Sequence, residues 1–224
     1  MNNVVSYSLW GNAPMYLEGM KRNISLAETY YPGWETWIYH DSTVPQKWID
    51  IYRNLGAKMI SMVEQPGFTR LFWRFLPASI DGVGRFISQD ADARIGVREE
   101  IIVEKWLMSG RDFLIIRDHP NHNWNIMGGM WGCKGGIIKE ALIMAAKMLS
   151  AEKMTPAQQG LGFADDQRWL KSVVWPMAKK SALVFDDWKR FGGGLKLPQR
   201  GSKFDFVGNK YDENDKPMYS IETK

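Results

Sequence analysis

Residues 85–94 of the 224-residue chain read Arg-Phe-Ile-Ser-Gln-Asp-Ala-Asp-Ala-Arg, or RFISQDADAR. The first four form a short β-prone run, and the rest bring two carboxylates and a guanidinium directly after it. Similar polar clusters follow three other predicted strands, at Ser8–Asn12, His40–Ser42 and Arg117–His122. Because ligands of open α/β sheets bind beyond the carboxyl ends of the strands, these clusters predict one shared binding site.

Strand-like and helix-like segments alternate along most of the chain. The predicted strands are Val4–Leu9, Trp37–Tyr39, Lys58–Val63, Arg85–Ser88, Phe113–Ile116 and Ala182–Phe185. The predicted helices are Pro14–Ala27, Pro45–Leu55, Thr69–Ala78, Val97–Met108, Gly136–Leu149 and Asp166–Val174. The alternation predicts an α/β fold with a mainly parallel central sheet flanked by helices. We expect a single domain over residues 1–224, with 195–224 as a less regular C-terminal segment.

Composition excludes several classes of protein. Hydrophobic residues make up 45% and charged residues 24%, which excludes a wholly disordered chain. No apolar run approaches the roughly 20 residues of a transmembrane helix, and no export signal is visible. The lone Cys133 fits the reducing cytoplasm, where we expect the protein to act. The net charge of +4 is too mild to predict a nucleic-acid partner, although it suits a phosphorylated ligand.

Asp90 and Asp92 are the sharpest chemical signal, because two carboxylates this close at a strand end can face one divalent cation. Oxygen ligands suit Mg²⁺ or Mn²⁺, which commonly bridge protein carboxylates to substrate phosphates. Arg70 and Arg74 lie one helical turn apart and could neutralise a diphosphate. The alternative is that one of these arginines pairs structurally with Asp90 or Asp92.

Two further pairs could take part in chemistry. His119 and His122 could contact substrate, shape their loop by hydrogen bonds, or bind zinc. Asp165 and Asp166 open a predicted helix, where one of them can cap the helix N-terminus. The other could act as general base towards an acceptor hydroxyl, or stabilise positive charge on a sugar ring.

The 11 tryptophans are an unusual number for this length and suggest a flat ligand such as a sugar or a base. Trp10, Trp124 and Trp131 lie near the predicted binding edge. In the segment Gly128–Gly132, GGMWG, glycines would let a ligand approach while Trp131 stacks on it. The alternative is a tightly packed strand with a core tryptophan.

These pieces in this order resemble nucleotide-sugar-dependent glycosyltransferases of the GT-A fold. The resemblance is nearest to the small domains found in bacterial surface-polysaccharide and large-virus glycosylation. FISQDADAR at 86–94 and RDHPNHNWNIMGGMWG at 117–132 are its specific parts. The likeness extends over most of the chain through VSYSLWG, YPGWETWIYHDSTVP, RLFWRFLPAS, REEIIVEKWLMSG, DDQRWLKSVVWP and the tail FVGNKYDENDKP.

The resemblance implies transfer of a hexosyl or deoxyhexosyl group from a UDP-linked donor to a glycan or other hydroxyl acceptor, in polysaccharide biosynthesis. It implies Mn²⁺ or Mg²⁺ at the Asp-x-Asp (DXD) motif, with Asp92 as the firmest ligand and Asp90 on the metal or the ribose. The implied nucleotide-sugar contacts are Ser8, Trp10, Asp41, Arg70, Arg74, Asp90, Arg94, Gly129 and Trp131. The implied catalytic residues are Asp166, Asp165 and His119.

One feature departs from the resemblance, which implies a further metal ligand near the C-terminus, commonly a histidine. No histidine follows His122, so this ligand would be Asp212, Asp215, water or absent. Neither the oligomeric state nor the choice between inversion and retention of the anomeric centre follows from the sequence.

Two competing functions fit parts of the pattern. A non-catalytic carbohydrate-binding domain would account for the tryptophans. A sugar-phosphate nucleotidyltransferase would share the α/β architecture and the metal-binding carboxylates. Nucleotidyltransferases usually carry a glycine-rich basic loop after the first strand, whereas SLWGNAPMY at residues 8–16 has one glycine and no lysine or arginine.

Overall fold

The computed structural model describes residues 1–63, 69–143, 165–189 and 191–221. Within these ranges seven strands form one sheet in the order β3-β2-β1-β4-β6-β5-β7. The strands are β1 (Asn2–Leu9), β2 (Glu35–His40), β3 (Lys58–Ser61), β4 (Val83–Ser88), β5 (Phe113–Arg117), β6 (Trp131–Lys134) and β7 (Ala182–Asp186). Strand β6 runs antiparallel to β4 and β5, and the other pairs are parallel. The predicted α/β class with a mainly parallel sheet is therefore confirmed.

The helices connect the strands as the alternation predicts. They are α1 (Pro14–Tyr30), α2 (Gln46–Asn54), α3 (Thr69–Phe72), α4 (Val97–Ser109), α5 (Asp165–Trp169) and α6 (Trp175–Ala178). A π-helical turn, Leu170–Val174, joins α5 to α6. Residues 139–143 are helical, and the last six residues of the predicted helix Gly136–Leu149 lie outside the described residues. No helix in the described ranges is both long and apolar enough to cross a membrane.

The predicted helix Thr69–Ala78 is α-helical only as far as Phe72 and continues as a 3₁₀ helix over Trp73–Ser79. Pro77 lies inside this second part and has no backbone N–H to donate. A 3₁₀ helix has about three residues per turn, so side chains four apart no longer lie on one face. The prediction that Arg70 and Arg74 share a face is therefore wrong.

Two hydrophobic clusters cover the two faces of the sheet, and successive residues of most strands contribute to them alternately. On β5, Leu114 and Ile116 belong to one cluster, and Phe113 and Ile115 belong to the other. Burial on both faces is typical of sheets covered by helices on each side. The faces are thereby closed, and the carboxyl-terminal edge remains for polar side chains.

Candidate active site

A cavity of about 640 Å³ opens at the carboxyl ends of β1, β4 and β5. The ends of these strands contribute Ser8, Leu9, Trp10, Asp90, Ala91, Asp92, His119, Asn121 and His122 to its lining. Helix α1 contributes Tyr16, and helix α3 with the 3₁₀ helix that follows it contributes Leu71 and Arg74. Residues 195–221, which we call the C-terminal segment, contribute Phe206, Gly208, Lys210 and Tyr219. Three of the four polar clusters seen in the sequence therefore meet at one cavity.

Asp90 and Asp92 lie in the turn after β4, where the Ala93 amide donates to the Asp90 carbonyl over 3.1 Å. The Asp90 side chain is 41% exposed and the Asp92 side chain 10%. Burial and the negative charge of Asp90 raise the pKa of Asp92, and the ammonium of Lys210 opposes this shift. The carboxylates are therefore close enough to repel each other, which a shared cation would relieve.

The donor set fits Mg²⁺ or Mn²⁺, because both carboxylates line the cavity and supply hard oxygen ligands. The described residues contain no group of three or more histidine, cysteine or acidic side chains arranged to hold a metal. An ion at Asp90 and Asp92 would therefore complete its coordination with water and with oxygens of the substrate, as Mg²⁺ commonly does.

Arg74 is held between two carboxylates. One guanidinium nitrogen contacts Asp90 Oδ1, and the other donates to Asp166 Oδ2 over 3.0 Å. These two negative charges raise the pKa of the Arg74 guanidinium in spite of its burial. The structure thus realises the alternative in which one arginine pairs with an aspartate of the motif.

Gly128 and Gly129 make room for this arrangement. A Cβ atom on Gly129 would overlap the Asp90 carboxylate, and one on Gly128 would lie 2.7 Å from Asp166 Oδ2. The Ser88 hydroxyl donates to the Gly128 carbonyl over 2.6 Å and fixes the loop to β4. The glycines therefore accommodate protein carboxylates.

Trp131 is fully buried in β6 among Phe75, Phe86 and other apolar side chains. Its ring centroid lies 5.1 Å from that of Phe86 in an edge-to-face contact. The expected stacking of Trp131 on a ligand is therefore wrong, and the alternative of a packed strand with a core tryptophan is confirmed. Trp10 does line the cavity.

Asp41 and Arg70 form a pair outside the main cavity lining. Arg70 Nε lies 2.8 Å from Asp41 Oδ2, and the Thr43 amide donates to Asp41 Oδ1 over 3.0 Å. Asp41 is fully buried and borders a smaller cavity of about 390 Å³ with His40 and Ser42. The structure therefore does not bring Asp41 and Arg70 together with the Asp-x-Asp motif.

Arg94 is directed towards the C-terminal segment. Its Nε donates to Asp215 Oδ1 over 2.7 Å, and its guanidinium lies 5.1 Å from the ring centroid of Tyr211. Asp212 accepts backbone N–H groups of its own turn, from Asn214 and Lys216. Arg94, Asp212 and Asp215 are all outside the cavity lining, so the structure supports neither aspartate as a metal ligand.

Lys210 is the charged cavity residue that sequence reasoning missed, and Tyr16, Phe206 and Tyr219 were missed with it. The Nζ atom of Lys210 lies 3.0 Å from Asp92 Oδ2, beside the predicted metal ligands. Lys210 belongs to the stretch FVGNKYDENDKP, whose likeness was noted without a role for the lysine. The stretch has no helical or strand periodicity that could have placed the side chain.

His119 and His122 both line the cavity, but the Nδ1 atom of each ring already accepts a hydrogen bond. The Asn121 amide donates to His119 Nδ1 over 3.1 Å, and the Asp118 amide donates to His122 Nδ1 over 3.0 Å. Burial lowers the pKa of both imidazoles, that of His122 to about 3. The neutral His119 ring therefore carries its proton on Nε2, and a hydrogen bond to the Ser220 backbone opposes the fall in its pKa. These hydrogen bonds within the loop favour a structural role for the two histidines over zinc binding.

Asp166 is buried and absent from the cavity lining. It accepts the Gln167 amide over 2.8 Å and binds Arg74 with its other oxygen. Burial raises the pKa of Asp166, and Arg74 opposes the shift. This environment suits a residue that positions Arg74 better than a base that contacts an acceptor. The Asp165 side chain lies outside the described residues.

No protein-family model and no curated protein sequence matches the chain. Solved structures match it at low identity. The glycosyltransferase GlyE of Streptococcus pneumoniae TIGR4 has a TM-score of 0.52 and 13% identity, covering 85% of this chain and 46% of that one. The mannosyltransferase PcManGT of Pyrobaculum calidifontis, solved with GDP-Man and Mn²⁺, has a TM-score of 0.50 and 17% identity, covering 89% and 58%.

A third solved structure belongs to a different class of enzyme. The 4-diphosphocytidyl-2C-methyl-D-erythritol synthase of Anaerococcus prevotii DSM 20548 has a TM-score of 0.50 and 11% identity, covering 82% of this chain and 86% of that one. Identities this low show a shared fold, so the predicted resemblance to glycosyltransferases of the GT-A fold is confirmed at the level of the fold. This chain spans only about half the length of the two glycosyltransferase structures.

Proposed function

We propose that this protein is a divalent-metal-dependent glycosyltransferase that uses a nucleoside-diphosphate sugar. The observation that carries the proposal is the cavity at the carboxyl edge of the sheet, where Asp90 and Asp92 lie together with the cation Lys210. Its volume of about 640 Å³ falls within the range of small-molecule sites. The buried and unpaired Cys133 is consistent with action in the cytoplasm.

The charges of the lining suit a diphosphate. Asp90, Asp92 and the buried Asp166 carry one more charge than Arg74 and Lys210, so a bound divalent cation would give the site a net charge of +1 to face the donor. The cation would supply electrostatic stabilisation of the leaving nucleoside diphosphate. Arg74, held by the buried Asp166, fixes the Asp90 side chain from behind and keeps it aimed at the cavity.

The part of the lining that does not belong to the Asp-x-Asp motif suits the acceptor. His119, Asn121, Phe206 and Tyr219 combine hydrogen-bonding groups with aromatic rings there, as carbohydrate sites commonly do. The ring of His119 packs against Phe206 with a centroid distance of 4.6 Å, so this wall is preformed. We therefore propose a glycan hydroxyl as acceptor and a hexosyl or deoxyhexosyl unit as the transferred group.

The function is tested by incubating the full chain with UDP- and GDP-sugars and Mn²⁺, and measuring released nucleoside diphosphate. We expect release to require Mn²⁺ and to fall at least about a hundredfold in Asp92→Asn, since charge stabilisation at one site is commonly worth that much. The control Asp50→Asn changes an exposed carboxylate on α2 and should retain full activity. A folded Asp92→Asn with unchanged Mn²⁺-dependent release would refute the metal assignment.

A nucleotidyltransferase is the second candidate, favoured by the fold shared with the A. prevotii enzyme over most of both chains. Such an enzyme would release pyrophosphate from a nucleoside triphosphate and a sugar phosphate. In this chain the turn after β1 carries no basic side chain, and the Gly11 amide donates to Thr43 Oγ1 over 2.7 Å. Pyrophosphate release without nucleoside diphosphate release would favour this candidate. Sugar binding with neither product would indicate a carbohydrate-binding domain.

A further inference from the structure

Lys210 is the cation of the cavity that can reach a ligand. The lining of the described structure contains two cations, Arg74 and Lys210. The Arg74 side chain is 6% exposed and contacts two carboxylates, whereas the Lys210 side chain is 35% exposed and contacts one. Its ammonium also lies 5.8 Å from the ring centroid of Tyr16. A lysine ammonium is a compact charge on a flexible stem, so it can exchange one partner for another.

The backbone holds Lys210 next to the Asp-x-Asp turn. The Tyr211 amide donates to the Asp92 carbonyl over 2.9 Å, and the Met218 amide donates to the Lys210 carbonyl over 2.7 Å. Gly208 packs so tightly on Met130 that a Cβ atom there would overlap the sulfur. These contacts fix the main chain of Lys210 beside Asp92, while the exposed end of its side chain is left to respond to a ligand.

We propose that Lys210 neutralises Asp92 before a donor binds, and moves its ammonium onto the donor phosphates once Asp92 binds a divalent cation. Two positive groups cannot share one carboxylate oxygen without repulsion, so Lys210 and the cation compete for Asp92. Phosphate oxygens offer the displaced ammonium a new anionic partner. The identity of this anion as a diphosphate rests on the proposed function, whereas the competition rests on the observed Lys210–Asp92 pair.

The proposal predicts effects of opposite sign when the charge of Lys210 is removed. Binding of Mn²⁺ alone should become tighter, because Asp92 loses its competing partner. Binding of a diphosphate to the Mn²⁺-loaded protein should become weaker, because a phosphate-binding cation is lost. If Lys210 had only a structural role, its substitution would weaken the binding of both ligands or change neither. A rise in Mn²⁺ affinity together with a fall in diphosphate affinity therefore identifies the proposed role.

The experiment uses the full-length protein and two calorimetric titrations, one of metal-free protein with MnCl₂ and one of Mn²⁺-saturated protein with the Mn²⁺ complex of pyrophosphate. In Lys210→Met we expect Mn²⁺ affinity to rise and pyrophosphate affinity to fall, each about tenfold, the size of one charged hydrogen bond. Lys210→Arg should keep pyrophosphate binding within about threefold of the wild type, because the positive charge remains. The control Lys216→Met changes an exposed lysine of the same segment, outside the cavity, and should alter neither titration.

Mn²⁺ affinity that stays equal or falls in folded Lys210→Met overturns the proposal, and so does unchanged pyrophosphate affinity. Absence of pyrophosphate binding by the Mn²⁺-saturated wild type overturns it as well. Lys210→Gln is the second neutral variant if Lys210→Met does not fold, and the same outcomes apply to it. Failure of the proposed function looks different, because sugar transfer would then be missing while the opposite shifts remain.

Discussion

At the scale of single residues, the site depends on charges that hold one another in place. Asp166 holds Arg74, Arg74 holds Asp90, and Lys210 holds Asp92. Only the absence of a side chain at Gly129 leaves space for the Asp90 carboxylate. Glycine is therefore required there for close approach, and the requirement is independent of backbone conformation.

Gly129→Ala tests this requirement. The added Cβ would overlap the Asp90 carboxylate, so Asp90 must leave its position and its contact with Arg74. We expect Mn²⁺-dependent binding of UDP to weaken at least about tenfold, and the free energy of unfolding to fall by about 1–3 kcal/mol, the usual cost of overpacking. Calorimetry and urea denaturation measure the two effects.

The matched control is Gly82→Ala, because no atom lies within 4 Å of a Cβ placed on Gly82. This variant should bind UDP and unfold like the wild type. Wild-type binding by Gly129→Ala would show that the Asp90 side chain does not need its present position.

At the scale of elements, the C-terminal segment completes the cavity although it contains no long helix or strand in its described part. Its anchor is the buried Asp118 at the end of β5. Asp118 binds the guanidinium of Arg98 from α4 with both oxygens, over 2.9 and 2.7 Å. It also binds Arg200 and accepts the Val207 amide over 2.9 Å. One carboxylate thus links β5, α4 and the segment that carries Lys210.

Asp118→Asn should release this anchor. The substitution leaves the buried Arg98 guanidinium with only the half-exposed Asp205, 3.9 Å away, as an opposite charge, so we expect the free energy of unfolding to fall by about 3 kcal/mol. Hydrogen exchange in the C-terminal segment, including the Val207 amide, should become faster than in the wild type. Urea denaturation and hydrogen-exchange mass spectrometry measure these effects.

Asp81→Asn provides the comparison, because it removes an exposed ion pair between Asp81 and Lys139. Exposed pairs contribute little, so this variant should unfold nearly as the wild type does. Equal losses of stability in the two variants would mean that Asp118 does not anchor the segment.

The sequence predicted the elements that have a periodic pattern. The parallel strands and the helices between them were found because their apolar residues recur at regular spacing. Strand β6 was seen only as an alternative, because its four residues WGCK are too few to show alternation. The position of Lys210 was missed because it depends on hydrogen bonds between distant backbone groups, which no local pattern encodes.

The partners of Arg70 and Arg74 likewise could not be predicted from the local sequence. Their residue type correctly indicated partners with negative charge. Which carboxylate each one meets depends on the change from α to 3₁₀ helix after Phe72, which turns Arg70 towards Asp41 and Arg74 towards Asp90.

At the scale of the whole molecule, the carboxyl edge of the sheet concentrates buried charge. Within the described part of the chain, the buried charged residues are Asp41, Arg74, Asp92, Arg98, Glu99, Arg117, Asp118, Asp166 and Asp186. Six of them form three ion pairs with one another, which offsets the cost of their burial. Glu99, in the first turn of α4, is different, because its hydrogen bonds come from the uncharged Gln89 and Tyr31.

Glu99 should therefore make stability depend on pH. Burial raises the pKa of Glu99 from 4.5 to about 7, although hydrogen bonds from Tyr31 and Gln89 oppose the shift. Between these two values the folded protein holds a proton that the unfolded chain has released. Stability is thus highest below about pH 4.5 as far as Glu99 is concerned, and it falls as the pH rises towards 7. The difference amounts to about 3 kcal/mol.

Glu99→Gln isolates this contribution, because the amide has nearly the same shape and never becomes charged. Urea denaturation at pH 5 and at pH 8 should show the variant gaining stability relative to the wild type as the pH rises, by about 2–3 kcal/mol. The control Glu104→Gln changes an exposed carboxyl of the same helix and should follow the wild type at both pH values. If Glu99→Gln also follows the wild type, Glu99 loses its proton within the folded protein at little cost, and its burial does not limit stability at neutral pH.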